Sequence, residues 1–150
     1  IQPNFFKVLK NFKTSAYGEI YFLSLNMFKD NPLTGIGISN FEFGCKNIPK
    51  YGNIMKNYNC ASHPHNLYLQ WLVEGGLFTL IFFIIYLYFI FNFILYNEGR
   101  YEFKLIGIVV LIIMFWPIMS TGSLIKNWNG VSTFYIMSLC LCMSRFKKYY

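Results

Sequence analysis

Charge is what this sequence has least of. Only 13% of its 150 residues are charged, against roughly 25% in an average soluble domain. Acids are scarcer still, six against 13 Lys and Arg, for a net charge of +7. That deficit argues against an ordinary soluble globule, and with so many aromatics against a disordered chain. Histidine is limited to two residues and cysteine to four. Cys140 and Cys142 stand two apart, a spacing that makes neither a CxxC pair nor a zinc site, and they read as packing residues on different faces of a span. There is no internal repeat and no low-complexity tract. No secretory signal peptide is recognisable, because the apolar runs are too many and too far from the start. The chain begins at Ile1 rather than Met and reads as a piece of a longer protein, or a processed form.

What is present is apolar and aromatic: 55% hydrophobic residues, 17 Phe, 12 Tyr and a mean hydropathy of +0.39. A membrane span needs about 20 mostly apolar residues. No charge falls between Gly75 and Asn97, between Leu105 and Ile125, or between Asn127 and Ser144. These runs predict three transmembrane helices, at about 67–96, 105–123 and 129–144, with Pro117 kinking the second. Ser120, Thr121 and Ser123 then fall at its outer end, level with His65. Residues 1–66 mix Lys, Asn, Gly and Pro with aromatics and predict a water-facing subdomain. The fold class is therefore all-α and membrane-bound: a polytopic helical bundle fragment with an outward loop subdomain.

Lys and Arg near span ends set orientation. Arg100, Lys104, Arg145, Lys147 and Lys148 lie on one side, Lys50, Lys56 and Lys126 on the other. The bias puts the 97–104 turn and the C-terminal tail in the cytoplasm and residues 1–66 outside. Tyr96, Tyr101, Trp128, Tyr149 and Tyr150 suit the interfaces. In the outer segment a helix over Tyr17–Lys29 is predicted to stop at Asp30-Asn31-Pro32. Gly35 and Gly37 then impose a turn, or allow close approach to a sugar. Cys45 to Ser62 reads as irregular loop, and whether Cys45 and Cys60 pair is open, since sequence gives no Cα distance.

The chemistry concentrates just before the first span, in Ser62-His63-Pro64-His65-Asn66. Pro64 suits a first helical position. His63, Asn66, Gln70 and Glu74 then step by 3, 4 and 4, one face of a helix. Such a stripe cannot face lipid; it lines a substrate cavity or supplies hydrogen bonds between helices. An imidazole poised near neutrality at a polar helix start suits proton transfer, which singles out His65; His63 could equally be a cap. The helix start offers N–H groups to an anion. The outer segment carries seven lysines against three acids, a net of +4, which would suit a phosphate or pyrophosphate lipid, or simply anionic headgroups. An outward loop makes nucleic acid a poor partner.

The stretch H-P-H-N-L-Y-L-Q-W-L-V-E-G-G-L-F-T resembles the signature of the O-antigen ligase / O-antigen polymerase membrane family. In that family a His followed by Asn, Ser or Gln precedes a Gly pair or Gly-x-x-Gly/Thr at a span start; here His65-Asn66 precedes Gly76-Leu77-Phe78-Thr79. M-F-K-D-N-P-L-T-G-I-G-I-S-N-F, Met27 to Phe41, is similar to the family's second hallmark, in its large periplasmic loop. The resemblance covers roughly Ser15 to Tyr96. It implies a GT-C-like, multi-pass enzyme of the bacterial inner membrane with its active loop in the periplasm. The implied reaction moves a glycan from undecaprenyl pyrophosphate to an acceptor hydroxyl on lipid A–core (ligase) or on another repeat unit (polymerase). Its motif His corresponds to His65, as general base or pyrophosphate contact, with His63, Asn66, Gln70 and Glu74 around the substrate. No cofactor, nucleotide sugar or metal is implied. Where the family often has an arginine, this chain has Tyr17 near Glu19; either arginines of further spans take that place, or Lys50, Lys56 or Lys126 does, a lysine binding phosphate as a point charge. The competing reading is a polysaccharide transporter or membrane assembly subunit whose polar stripe is not catalytic.

Overall fold

A computed structural model describes residues 10–146 of the chain. Lys7, Lys147, Lys148, Tyr149 and Tyr150 lie outside the described residues. Among the described residues every regular element is helical. After a 3-10 turn at Phe12–Thr14 come α1 (Ala16–Asp30), α2 (Phe41–Asn47), α3 (Pro49–Gly52), α4 (Leu67–Tyr96), α5 (Tyr101–Met114) and α6 (Asn127–Ser144).

Two cores organise them. The outer core gathers Ile20, Leu23 and Met27 of α1 with Phe41, Cys45, Tyr51, Met55 and Val73. Helix α1 begins where the Ser15 hydroxyl accepts the Gly18 N–H at 3.1 Å, a standard N-cap. It ends before Pro32, as the sequence predicts, because the residue preceding a proline is driven out of helical geometry. The stretch read as irregular loop contains α2 and α3. Phe41, Cys45 and Tyr51 are buried, so these short helices exist to place core side chains rather than by propensity. Cys45 and Cys60 form a disulfide with Cα atoms 5.8 Å apart.

The second core joins Leu67, Phe83, Ile90 and Ile94 of α4 to Leu111, Phe115, Met137 and Cys140. Of the described helices, α4 is the one long and apolar enough to cross a membrane, with a mean hydropathy of 2.4 in its most apolar stretch. Phe78, Phe82, Tyr88 and Phe89 on it are all more than half exposed. The second predicted span is shorter than expected. Pro117 does not kink a helix reaching residue 123; α5 stops at Met114. Proline supplies no N–H and its ring clashes with the preceding turn. The chain continues through a turn at 116–119 and carries Ser120, Thr121 and Ser123 in an irregular loop instead of on a helix.

That loop nevertheless climbs to the level of the start of α4. Tyr68 donates its hydroxyl to the Phe115 carbonyl at 2.7 Å, and the Thr121 N–H donates to the His65 carbonyl at 2.9 Å. At the opposite end, the Arg100 N–H donates to the Phe146 carbonyl at 3.0 Å, and Asn97 Nδ2 to Ser144 Oγ at 2.9 Å. The three segments 67–96, 101–121 and 127–144 therefore lie side by side, tied at both ends. Arg100, Lys104 and Arg145 gather at one end and Lys126 at the other.

Candidate functional site

The site forms where the outer subdomain meets α4. Helix α4 is interrupted: Gly76 has φ 76° and ψ −170°, a conformation essentially restricted to glycine. Into this break fits the Pro32–Gly37 turn. The Leu77 N–H donates to the Pro32 carbonyl, Ile36 N–H to the Val73 carbonyl and Gly37 N–H to the Glu74 carbonyl, each at 2.9 Å. The turn thereby takes over carbonyls that the broken helix leaves unpaired. Contact is backbone against backbone. A Cβ on Gly35 would come within 2.5 Å of the Val73 carbonyl oxygen, and one on Gly76 within 2.1 Å of the Leu33 carbonyl oxygen. At Gly35 the turn reading holds, and the close approach is to α4 rather than to a sugar. The two sequence motifs, some 40 residues apart, are one structural unit.

Two turns above the break, Asn66 is the N-cap of α4, accepting the Leu69 N–H on Oδ1 at 3.0 Å and donating Nδ2 to the Pro117 carbonyl at 2.7 Å. The helix therefore starts later than the spacing suggests. Pro64 and both histidines precede it, so His63 does not share the helical face of Asn66, Gln70 and Glu74. The cap also uses an N–H that would otherwise face an anion.

His65 adopts φ 53°, the left-handed region uncommon outside glycine. Its carbonyl is held by Thr121. The rings of His63 and His65 lie 4.2 Å apart between centroids, yet their situations differ. His63 Nδ1 lies 3.0 Å from Ser62 Oγ and its Nε2 3.3 Å from the Thr121 carbonyl. A carbonyl can only accept, so Nε2 carries the proton and Nδ1 accepts from the serine. Burial, with the neighbouring His65 and Lys126, holds His63 below its usual pKa, against the Thr121 carbonyl, which raises it. His63 is therefore neutral near pH 7, with both nitrogens used. Among the described residues no hydrogen bond engages the half-buried His65 imidazole, so both its nitrogens remain for a ligand.

Asn66, Gln70 and Glu74 are all buried, at 4%, 3% and 1% exposure. Gln70 Nε2 donates to Glu74 Oε2 at 3.1 Å and to Ser123 Oγ at 2.7 Å. Glu74 Oε1 has no partner. The stripe faces protein rather than lipid, and its job in this geometry is to fasten the 120–126 loop onto α4. Lys126 belongs to the same assembly, its Nζ donating to the Ser62 carbonyl at 3.3 Å.

The other two lysines do not join it. Lys50 pairs with Asp30 at 2.6 Å, and Tyr51 donates to the same carboxylate at 2.7 Å. Both contacts hold Asp30 below the usual carboxylate range. Burial first, then Asp30, pushes Tyr51 up to about 12. Lys56 is exposed and borders a cavity beside Glu19 and Asn57. Tyr17, in the arginine position, is 46% exposed. Sequence reasoning missed Tyr21, whose hydroxyl lies beside Asn66, and the direct roles of the Pro117 carbonyl and Ser123. The signal was the cluster of small polar residues after Pro117, readable only once the helix is known to stop.

Among the described residues no group of three or more His, Cys, Asp or Glu could hold a metal. The site can offer one open imidazole and one ammonium to a hydroxyl or an anion, over a framework of side chains bonded to one another. No curated protein and no solved structure matches the chain. A family model described as O-antigen ligase matches residues 4–84, a stretch that contains both the turn and the break it fills.

Proposed function

The chain belongs to the O-antigen ligase family, and from that premise we propose that it is the catalytic-loop part of a membrane glycosyl transferase. It moves a saccharide from undecaprenyl pyrophosphate to an acceptor hydroxyl on lipid A–core or on another repeat unit. The observation that carries the reading is the contrast between the histidines. His63 is neutral and spent on Ser62 and Thr121; His65 is open and held in place through its backbone.

In this mechanism His65 accepts the proton of the acceptor hydroxyl as that oxygen attacks the anomeric carbon. The bond from that carbon to the pyrophosphate breaks, and undecaprenyl pyrophosphate leaves. A base must lie within hydrogen-bond reach of the proton it takes, which an engaged imidazole cannot do. Lys126, tethered over Ser62, supplies positive charge for the departing pyrophosphate. Asn66, Gln70 and Glu74 act as framework around His65. Lys50 and Lys56 serve at the outer surface, drawing anionic headgroups.

The chain crosses the bacterial inner membrane several times with residues 1–66 in the periplasm. The disulfide supports that side, since such bonds persist in oxidising compartments. So do Arg100, Lys104 and Arg145 clustered at the opposite end. Helix α4, α5 with the irregular loop that follows it, and α6 serve as the three crossings.

The test uses the full-length protein in a strain lacking its own enzyme. His65→Ala should abolish glycan transfer while leaving protein in the membrane. Lipid-linked chains accumulating unattached identify a ligase, and single-repeat products a polymerase. Unchanged attachment and chain length would refute the assignment.

A further inference from the structure

A cavity of about 670 Å³ opens in the outer subdomain between the Phe12–Thr14 turn, α1 and residues 53–57. Its walls combine Phe12, Tyr21 and Phe22 with Glu19, Asn57, and the exposed Lys13 and Lys56. Phe12 and Phe22 are 42% and 60% exposed. Glu19 is the unusual member. It is 6% exposed and forms no ion pair among the described residues. Asn57 satisfies it only in part, donating its side-chain amide to Oε1 at 2.5 Å and its backbone N–H to Oε2 at 3.3 Å. A carboxylate accepts about four hydrogen bonds, so acceptor capacity remains beside the cavity. A buried carboxylate with neutral partners alone is costly unless further donors arrive.

One residue reaches from the cavity toward the site. Tyr21 lines it with its ring, and its hydroxyl lies beside Asn66, the residue following His65. We propose that this cavity is a saccharide subsite, in which Glu19 accepts hydrogen bonds from sugar hydroxyls and the aromatic rings meet the sugar's C–H faces. This rests on glycan transfer at His65, and it assigns Glu19 a role in choosing which sugar reaches that histidine. Mostly apolar walls with a few placed polar groups are the ordinary make-up of a small-molecule site. Glu19 pairs with neither lysine of the wall, so its oxygens remain open to hydroxyl donors.

The experiment places a photo-crosslinking p-benzoylphenylalanine at position 22 of the full-length protein in its own cells, with position 43 as an exposed control outside the cavity. Glycan bound to the protein is detected after irradiation. We expect crosslinked glycan at 22 and not at 43, retained when His65→Ala blocks transfer. Glu19→Gln should lower it about tenfold, the loss of a hydrogen bond to a charged group. Loss of the crosslink in cells that make no lipid-linked glycan identifies a donor sugar; loss in cells that lack the acceptor identifies an acceptor sugar. Should Glu19→Gln fail to accumulate, Phe12→Ala is judged by the same drop. A crosslink only to lipid or protein at 22, or one indifferent to these changes, overturns the proposal. Transfer that survives His65→Ala would instead overturn the catalytic assignment, with the crosslink still readable.

Discussion

Replacing Gly76 with alanine probes the joint between the Pro32–Gly37 turn and α4. Holding alanine at φ 76° and ψ −170° costs about 1–3 kcal/mol. Its Cβ would also lie 2.1 Å from the Leu33 carbonyl oxygen and 2.6 Å from the Thr34 nitrogen. These are backbone atoms that cannot rotate aside, so the turn has to leave. Three backbone hydrogen bonds leave with it, each contributing about 0.5–1.5 kcal/mol. Together the penalty is roughly 3–7 kcal/mol, a factor of about a hundred to a hundred thousand in the docking equilibrium. Chymotrypsin treatment of membranes holding the full-length protein reads this out, because Phe41, fully buried just after the turn, becomes reachable once the turn leaves. Gly76→Ala should become sensitive there and lose glycan transfer. Gly107→Ala, in α5 and away from the turn, should not, since its Cβ would lie 3.4 Å or more from Ile94 and Cys140. Wild-type resistance and transfer in Gly76→Ala would refute the joint.

Gln70→Ala strips the last hydrogen bond from the buried Glu74 side chain and releases Ser123; a loss of about 1–3 kcal/mol should appear as a lower thermal midpoint of the purified protein, and an unchanged midpoint would count against the strut. Cys60→Ser opens a loop with a separation of 15 residues, which costs about 3 kcal/mol; reductant should lower the wild-type midpoint and leave the variant's unchanged. His63 is held below its usual pKa, so the unfolded chain takes up the proton first on acidification. Stability should therefore be fully present above about pH 6.5 and fall as pH drops from there through the lower folded value. His63→Gln should flatten that part of the profile, and an unaltered slope between pH 5 and 7 would contradict the buried neutral imidazole.

What the sequence made legible was local. The end of α1 at Pro32 and the common burial of Asn66, Gln70 and Glu74 follow from proline sterics and helical period. Three features depended on distant partners. Pro117 could equally kink or stop a helix; the stop is stabilised by Tyr68 and Asn66, which satisfy the Phe115 and Pro117 carbonyls. His63 left the predicted stripe because His65 turns left-handed and Asn66 caps the helix after it. Helices α2 and α3 are too short to announce themselves and are held by the outer core and the disulfide. The meeting of the turn with the helix break was the least readable, since each glycine signals permissive backbone without naming what approaches it.

The break also answers a question of thickness. Helix α4 has 30 residues, about 45 Å of rise, against a hydrocarbon layer of about 30 Å. A straight helix of that length would have to tilt or leave apolar surface in water. Interrupting it at Gly76 leaves Leu77–Tyr96 below, about 30 Å, a close fit to the layer. The two turns above, with Gln70 and Glu74, then belong to the outer subdomain, whose core already includes Val73. A bilayer fitted to Leu77–Tyr96 would leave the buried acid above its hydrocarbon, and the floor of the proposed site at its water-facing rim.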